Sequence, residues 1–441
     1  MIPARTAALL AALLAAAAAQ AVDIQRWHTK QGTQVLLVER RELPMVDYAV
    51  IFKGAGSTAD PEGKDDTAAV TAQMLMRGTA DTDEEAFNAK ASSLGSALAG
   101  SSSHEYSSFG FRSLSAPDRL RPTAELFAGA LSAPRFDPAV LKRLQDRAVL
   151  SLRQNESYPG YLAARETTRL NYPDHPYGKS ARRTEAAIRA VTVADLAAFH
   201  RTHYAQNNAI VTIVGDIGRK EAEALVADTV GRLPERTGAD TATPPVTVHG
   251  RQYRHVPFAD STQDIITISL PVLKQNDPDY FALLLGNYIL GGGGFDSRLM
   301  KELRDRKGYT YGASSSFTAY AQPGPFTIEF ATERKNSRAA LKAAQQVLAD
   351  FVRQGPTEAE MKQAKAYITG SFPLRIDTNG KLLANLADIG LYNRPADWLD
   401  SYNSKISALT AQEVKAAWQR HIRPDEMNVV LTGGQPETEK R

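Results

Sequence analysis

Few residues in this chain have types and spacings that suggest chemistry. Histidine is scarce, eight in 441 residues, so any pair at metal-ligating distance stands out. His200 and His203 lie three apart in a helical pattern, close enough to share one face. Only His203 has a counterpart in a later copy of its motif, at His421, so the pair reads as structural. His104-Glu105 falls on an expected strand, where neighbouring side chains point to opposite faces, which argues against joint ligation. The run Gly291 to Gly294 is not followed by Gly-Lys-Ser/Thr and therefore lacks the sequence of a phosphate cradle. A tight or mobile loop before a helix at Ser297-Arg298-Leu299 is the better reading. The absence of cysteine rules out thiolate metal sites and disulfides. The stretch Asp65 to Thr79 predicts a helix over 67–77 that ends at Gly78. Val70 and Met74 share one of its faces, as do Ala69 and Gln73. A helix so bland at its centre is either plain core or a place from which chemistry has been lost.

The elements that would position these residues occur twice. Ala190 to Tyr204 followed by Ala205 to Gly215 matches Ala408 to Ile422 followed by Arg423 to Gly433 without a gap. Thr192 meets Thr410, Asp195 meets Glu413, His203 meets His421 and Gly215 meets Gly433. Each copy reads as a Thr N-cap, a helix with an acid at its third position, a polar turn and a β-branched strand ending in Gly. The alternating strand at 47–52 has a partner at 264–270, and 107–113 has one at 326–330. Helices between them carry apolar stripes, such as Leu341, Ala344, Leu348 and Phe351. This predicts an α+β protein of two homologous domains, at 22–235 and 248–437, each a mostly antiparallel sheet packed on one side by helices. The Pro- and Thr-rich segment 236–247 reads as the linker.

Length and composition agree with two domains: 441 residues, 43% hydrophobic. Arg5 followed by the Ala/Leu run from Ala7 to Ala19 and by Ala19-Gln20-Ala21 predicts a secretory signal peptide over 1–21. The expected location is therefore exported, and periplasmic if the source is a Gram-negative bacterium. The formal charge is +3, or +2 once the only charge of the leader, Arg5, is removed. A chain so near balance gives no argument for nucleic acid or a membrane surface as partner.

The chain resembles the pitrilysin or inverzincin zinc peptidases, in the branch of half-size subunits like the mitochondrial processing peptidase. The landmarks are Gly63-Lys64, Met-Arg-Gly-Thr at 76–79, Tyr172-Pro-Asp-His-Pro-Tyr-Gly178, Asn207-Asn208 leading into Val214-Gly215-Asp216, Gly294 to Leu299, and Leu303 to Tyr311. Together they run over nearly the whole mature chain. Catalytic members carry H-x-x-E-H on the early helix, where two His bind zinc and the Glu acts as general base. Those positions here are Ala69, Ala72 and Gln73. The third ligand, a Glu on a later helix, would fall near Leu150 or Ser151, and nearby Glu156 cannot restore a site on its own.

The second half keeps what the first has lost. The resemblance implies that Arg304 and Tyr311, seven apart, reach across to a peptide held at a zinc on a partner subunit. An Arg and a phenol can both donate hydrogen bonds to a carbonyl that is becoming an oxyanion. Tyr309 is a rival phenol with the wrong spacing. The family's edge-strand region matches Ala97 to Ser108, so Ala99, Gly100 and Ser101 are expected to meet substrate by strand addition. Gly292, Gly293 and Gly294 are expected to face the same chamber. The implied protein binds no zinc itself. It acts in a heterodimer with a homologous H-x-x-E-H subunit, which holds the zinc, on unstructured peptides. A catalytically inert scaffold and a peptide-binding protein of the same fold are the alternatives.

Overall fold

The computed structural model describes residues 22–239, 242–259 and 261–434. The expected signal peptide at 1–21 and the last residues of the second domain lie outside these. The first half forms β1 (Gln25–His28), β2 (Gln34–Glu39), β3 (Met45–Lys53), β4 (Ala97–Ser102), β5 (Tyr106–Leu114) and β6 (Ala209–Gly215). The second forms β7 (Tyr253–Pro257), β8 (Gln263–Leu273), β9 (Ala313–Phe317), β10 (Gly324–Glu333) and β11 (Asn428–Gly433).

The repeat seen in the sequence is a repeat of topology. One sheet runs β1-β2-β6-β3-β5-β4 and the other β7-β11-β8-β10-β9. Apart from β1, the orders superimpose. β2 with β6 and β7 with β11 are the parallel pairs, and every other pairing is antiparallel. Both predicted capping boxes are present, Thr192 with Asp195 and Thr410 with Glu413. Each satisfies backbone donors that would otherwise be orphaned at the helix start.

The two central strands, β6 and β11, are buried along their whole length. Burial on both faces calls for apolar residues in both registers rather than alternation, and Ala-Ile-Val-Thr-Ile-Val-Gly meets that. On the first sheet, Val35, Leu37, Val211 and Ile213 face helices of their own half. Leu36, Val38, Ile210 and Val214 face the other way, into a core shared with Leu382, Leu386 and Ile389. Those three belong to the helix Asn379–Leu391 of the second half, which lies across β6 and β3. Reciprocally, the helix Pro159–Asn171 of the first half lies across β11 and β8. The halves have exchanged one helix each.

Close approach makes the exchange possible. A Cβ on Gly390 would stand 2.6 Å from Ile210 Cγ2 and 3.0 Å from Leu36 Cδ1. On the other side Asn171 is buried, donating to Ser269 Oγ at 2.8 Å and accepting from Asn428 Nδ2 at 3.1 Å. The helix Ser337–Gln354 buries Ala344, Leu348 and Phe351 as its stripe predicts, with Ala340 beside the half-buried Leu341. No helix among the described residues is long and apolar enough to cross a membrane.

Candidate functional site

The helix predicted over 67–77 spans Thr67–Leu75, with seven of its nine residues buried. Asp60 fixes its start, accepting from Ala68 N at 2.7 Å and from Asp66 N at 3.1 Å. Asp60 is 4% exposed. Desolvation outweighs these two hydrogen bonds and the nearby Lys179, and its carboxyl is pushed up to about 7. Asp66, in the left-handed region at φ 77°, pairs with Arg183. Lys64 reaches Asp195 at 2.5 Å, tying the turn before the helix to the first capping box.

The three positions where the resemblance places zinc chemistry lie on this helix: Ala69 half-buried, Ala72 fully buried, Gln73 exposed. Neither Ala carries a donor atom, and one exposed amide is a poor zinc ligand and no base. On the helix Pro138–Glu156, Leu150 and Ser151 are exposed and not acidic, and Glu156 is paired with Arg165 at 2.5 Å. These residues do not fit a catalytic zinc. His200 and His203 are not brought together as ligands either: His200 Nε2 meets Leu131 O at 2.8 Å, and the His203 ring packs on Phe199.

Against the helix lies β4, the edge of its sheet. A Cβ on Gly100 would sit 2.4 Å from Ala72 O and 2.8 Å from the Phe109 ring, so only glycine lets this strand come so near. Ala99 and Ser101 face outward and are exposed. Among the described residues no strand lies beside the outer backbone groups of β4, which suits the addition of an extended peptide.

The matching place in the second half is broken into short turns. After the helix Tyr280–Asn287 come a π turn Tyr288–Gly292, a 3-10 turn Gly294–Asp296, a short helix Arg298–Met300 and a second π turn Lys301–Arg306. The expected glycine loop is therefore partly helical. A Cβ on Gly291 would meet Ser315 N at 2.5 Å, so the glycine seats this segment on β9. Gly294, at φ 61°, turns the chain where nothing crowds it. Gly292 and Gly294 are exposed and Gly293 half-buried. Arg298 anchors the segment through a bidentate pair with Glu360, both contacts 2.7 Å, and the pair together with the Thr357 cap holds the Glu360 carboxyl down to about 2.

Arg304 projects from the second π turn, its side chain 42% exposed. Its guanidinium stands 4.8 Å from the centre of the Phe295 ring, and Asp305 is its acidic neighbour, at 3.5 Å. Tyr311 is 88% exposed, in a turn that Thr310 and Gly312 close by hydrogen bonds. The rival Tyr309 leans on the core, and its backbone takes part in bonds to Leu303 O and from Thr332 Oγ1.

Sequence reasoning missed one polar centre. Glu105 lies in the turn between β4 and β5, not on a strand, and is 8% exposed. It accepts from Tyr177 OH, from Ala321 N at 3.0 Å and from Tyr392 OH at 3.1 Å. Burial and the carboxylate together push both phenols up. One carboxylate thus joins the end of β4 to the β9–β10 connection of the other half. The Tyr177 of the landmark Tyr172 to Gly178 was the available signal, since a buried phenol needs a partner.

Comparison with known proteins agrees with this geometry. A family profile described as the peptidase M16 inactive domain matches residues 190–368. The crystal structure of a peptidase M16 inactive domain from Pseudomonas fluorescens superimposes with a TM-score of 0.89 at 34% identity, covering 94% of this chain and 99% of that one. A protein of Helicobacter pylori named "Non-peptidase homolog YmxG" is 22% identical over 406 residues, 90% of this chain and 91% of its own. The periplasmic protease PqqL of Escherichia coli shares the fold, with a TM-score of 0.80 at 15% identity, over 95% of this chain and 46% of that one.

Proposed function

The chain belongs to the M16 peptidase family, and from that premise we propose that it is the non-zinc subunit of a two-chain metallopeptidase. Residues 22–235 and 248–437 are its two proposed domains, joined by 236–247. Arg304 and Tyr311 are offered to a zinc centre on a homologous subunit that carries H-x-x-E-H. There the guanidinium and the phenol donate hydrogen bonds to the scissile carbonyl oxygen as it gains negative charge. The substrate is an unstructured peptide, held in part along the edge that includes Ala99, Gly100 and Ser101 and close to Gly292, Gly293 and Gly294.

One observation carries this reading. Arg304 and Tyr311 stand exposed, the phenol with no hydrogen-bond partner among the described residues, on a largely exposed stretch that the buried Leu303 and the half-buried Tyr309 tie to the core. Surface side chains needed only for folding do not require such a scaffold. The Ala/Leu run at the N-terminus, and the periplasmic setting of one structural neighbour, support export.

A second reading, a peptide-binding or scaffold protein without catalytic work, draws on the names "inactive domain" and "non-peptidase homolog" of its relatives. Affinity purification of the tagged chain from its source cell decides between them. The proposal expects a partner of similar size with H-x-x-E-H, bound zinc and peptidase activity in the complex. Recovery of the chain alone, or with an unrelated protein, would favour the second reading.

A further inference from the structure

A cleft of about 150 Å³ lies between the helix Pro159–Asn171 and the strands β8 and β10. Its walls are aromatic: Tyr177 and Tyr320 have ring centres 4.9 Å apart, and His104 stands 5.3 Å from Tyr320. Neither Lys nor Arg lines it. Burial lowers the pKa of His104, so its ring adds no positive charge at neutral pH. At the rim stands Glu329, exposed at the surface yet with its carboxyl pushed up by desolvation, and with no hydrogen bond or ion pair among the described residues. Inside, Thr267 is 2% exposed and its hydroxyl has no hydrogen-bond partner among the described residues. Behind Tyr177 sits the buried Glu105.

A free carboxylate, ring faces and an unused hydroxyl around one small space have a common complement. We propose that this cleft receives a single ammonium or guanidinium group, as carried by the Lys or Arg side chain of a bound peptide. Ring faces attract a cation through their quadrupole, more so where water is excluded. Glu329 supplies the opposite charge and Thr267 an acceptor oxygen. The volume is well below the roughly 300–1,000 Å³ of sites for drug-sized ligands, so it admits one side chain and not a whole ligand. β4 ends at Ser102, two residues before His104, which places the cleft beside the edge proposed to hold substrate. The inference rests on the reading that this chain holds extended peptide.

The test uses the purified chain and four capped pentapeptides, alanine on both sides of a central Lys, norleucine, Arg or citrulline. Affinities are measured by calorimetry, and n-butylammonium is titrated separately by NMR. Lys and Arg peptides are expected to bind about tenfold or more tighter than their neutral isosteres. Glu329→Gln should erase that preference without moving the melting temperature, and Glu329→Asp should keep part of it. Equal binding of charged and neutral peptides, or a preference that survives Glu329→Gln, would overturn the proposal. Binding of n-butylammonium that depends on Glu329, with no peptide bound, would support the cleft as a cation receptor for small amines and count against peptide holding. Binding of neither would overturn the cleft as a cation receptor.

Discussion

The stretch from Thr67 to Ser93, between β3 and β4, and the stretch from Tyr280 to Tyr311, between β8 and β9, occupy matching places in the two halves, and each is seated on an edge strand by a glycine. In the first half the glycine is on the strand, Gly100 beneath Ala72; in the second it is on the helix, Gly291 beneath Ser315. The first kept a regular helix and carries no catalytic side chain at the three positions that matter. The second keeps exposed Arg304 and Tyr311 and departs from regular helix in two π turns. Such turns are rare and gather at functional sites. A duplicated fold holds its topology while the chemistry of the two copies diverges, because burial constrains strands and helix faces but leaves exposed tips free.

The difference can be broken from several sides. The largest effect is expected at the joint between halves. Glu105→Leu removes the acceptor of two phenols and one backbone amide, and should cost about 3–5 kcal/mol in urea unfolding. Glu105→Gln, which keeps one acceptor oxygen, should cost less. Asp60 provides a pH test specific to the first half. Its folded pKa, about 7, lies above the value near 3.9 of an unfolded chain. The folded state therefore holds a proton that the unfolded state releases. The resulting stability is full below about pH 4 and is lost as pH rises to about 7. The swing is roughly 4 kcal/mol, and Asp60→Asn should flatten that slope. A profile unchanged by the substitution would show that Asp60 is ionised in the folded protein.

The exchange of helices gives a smaller test. Gly390→Val forces the helix Asn379–Leu391 away from Ile210 and Leu36, and should destabilise by about 1–3 kcal/mol through overpacking. The smallest effect belongs to the pair itself. Arg304→Ala and Tyr311→Phe should each shift stability by less than about 0.5 kcal/mol in the same unfolding assay, as exposed side chains outside the core do. A larger loss would make them structural.

Much of this architecture could be read from the residues. The two copies of Thr-cap, helix and β-branched strand announced a duplicated domain, and the burial of β6 and β11 on both faces explains why those strands were the plainest. The exchanged helices were not legible, because an apolar stripe shows that a helix needs cover but not which sheet supplies it. His104-Glu105 reads as strand in the sequence, while Ser103 to Glu105 in fact turn the chain between β4 and β5. Gly291 to Gly294 read as a loop because glycine marks both turns and close approaches, and only packing separates the two. Arg304 and Tyr311 were visible through family likeness alone. By type and spacing they are an ordinary surface charge and a strand-end aromatic.

The most direct measurement is peptide cleavage by the assembled complex carrying Arg304→Ala or Tyr311→Phe in this chain, with zinc content measured in parallel. If this chain completes the partner's site, kcat/KM should fall on the order of a hundredfold for Arg304→Ala, with zinc and assembly unchanged. Full activity in both variants would contradict the account and leave this chain a scaffold.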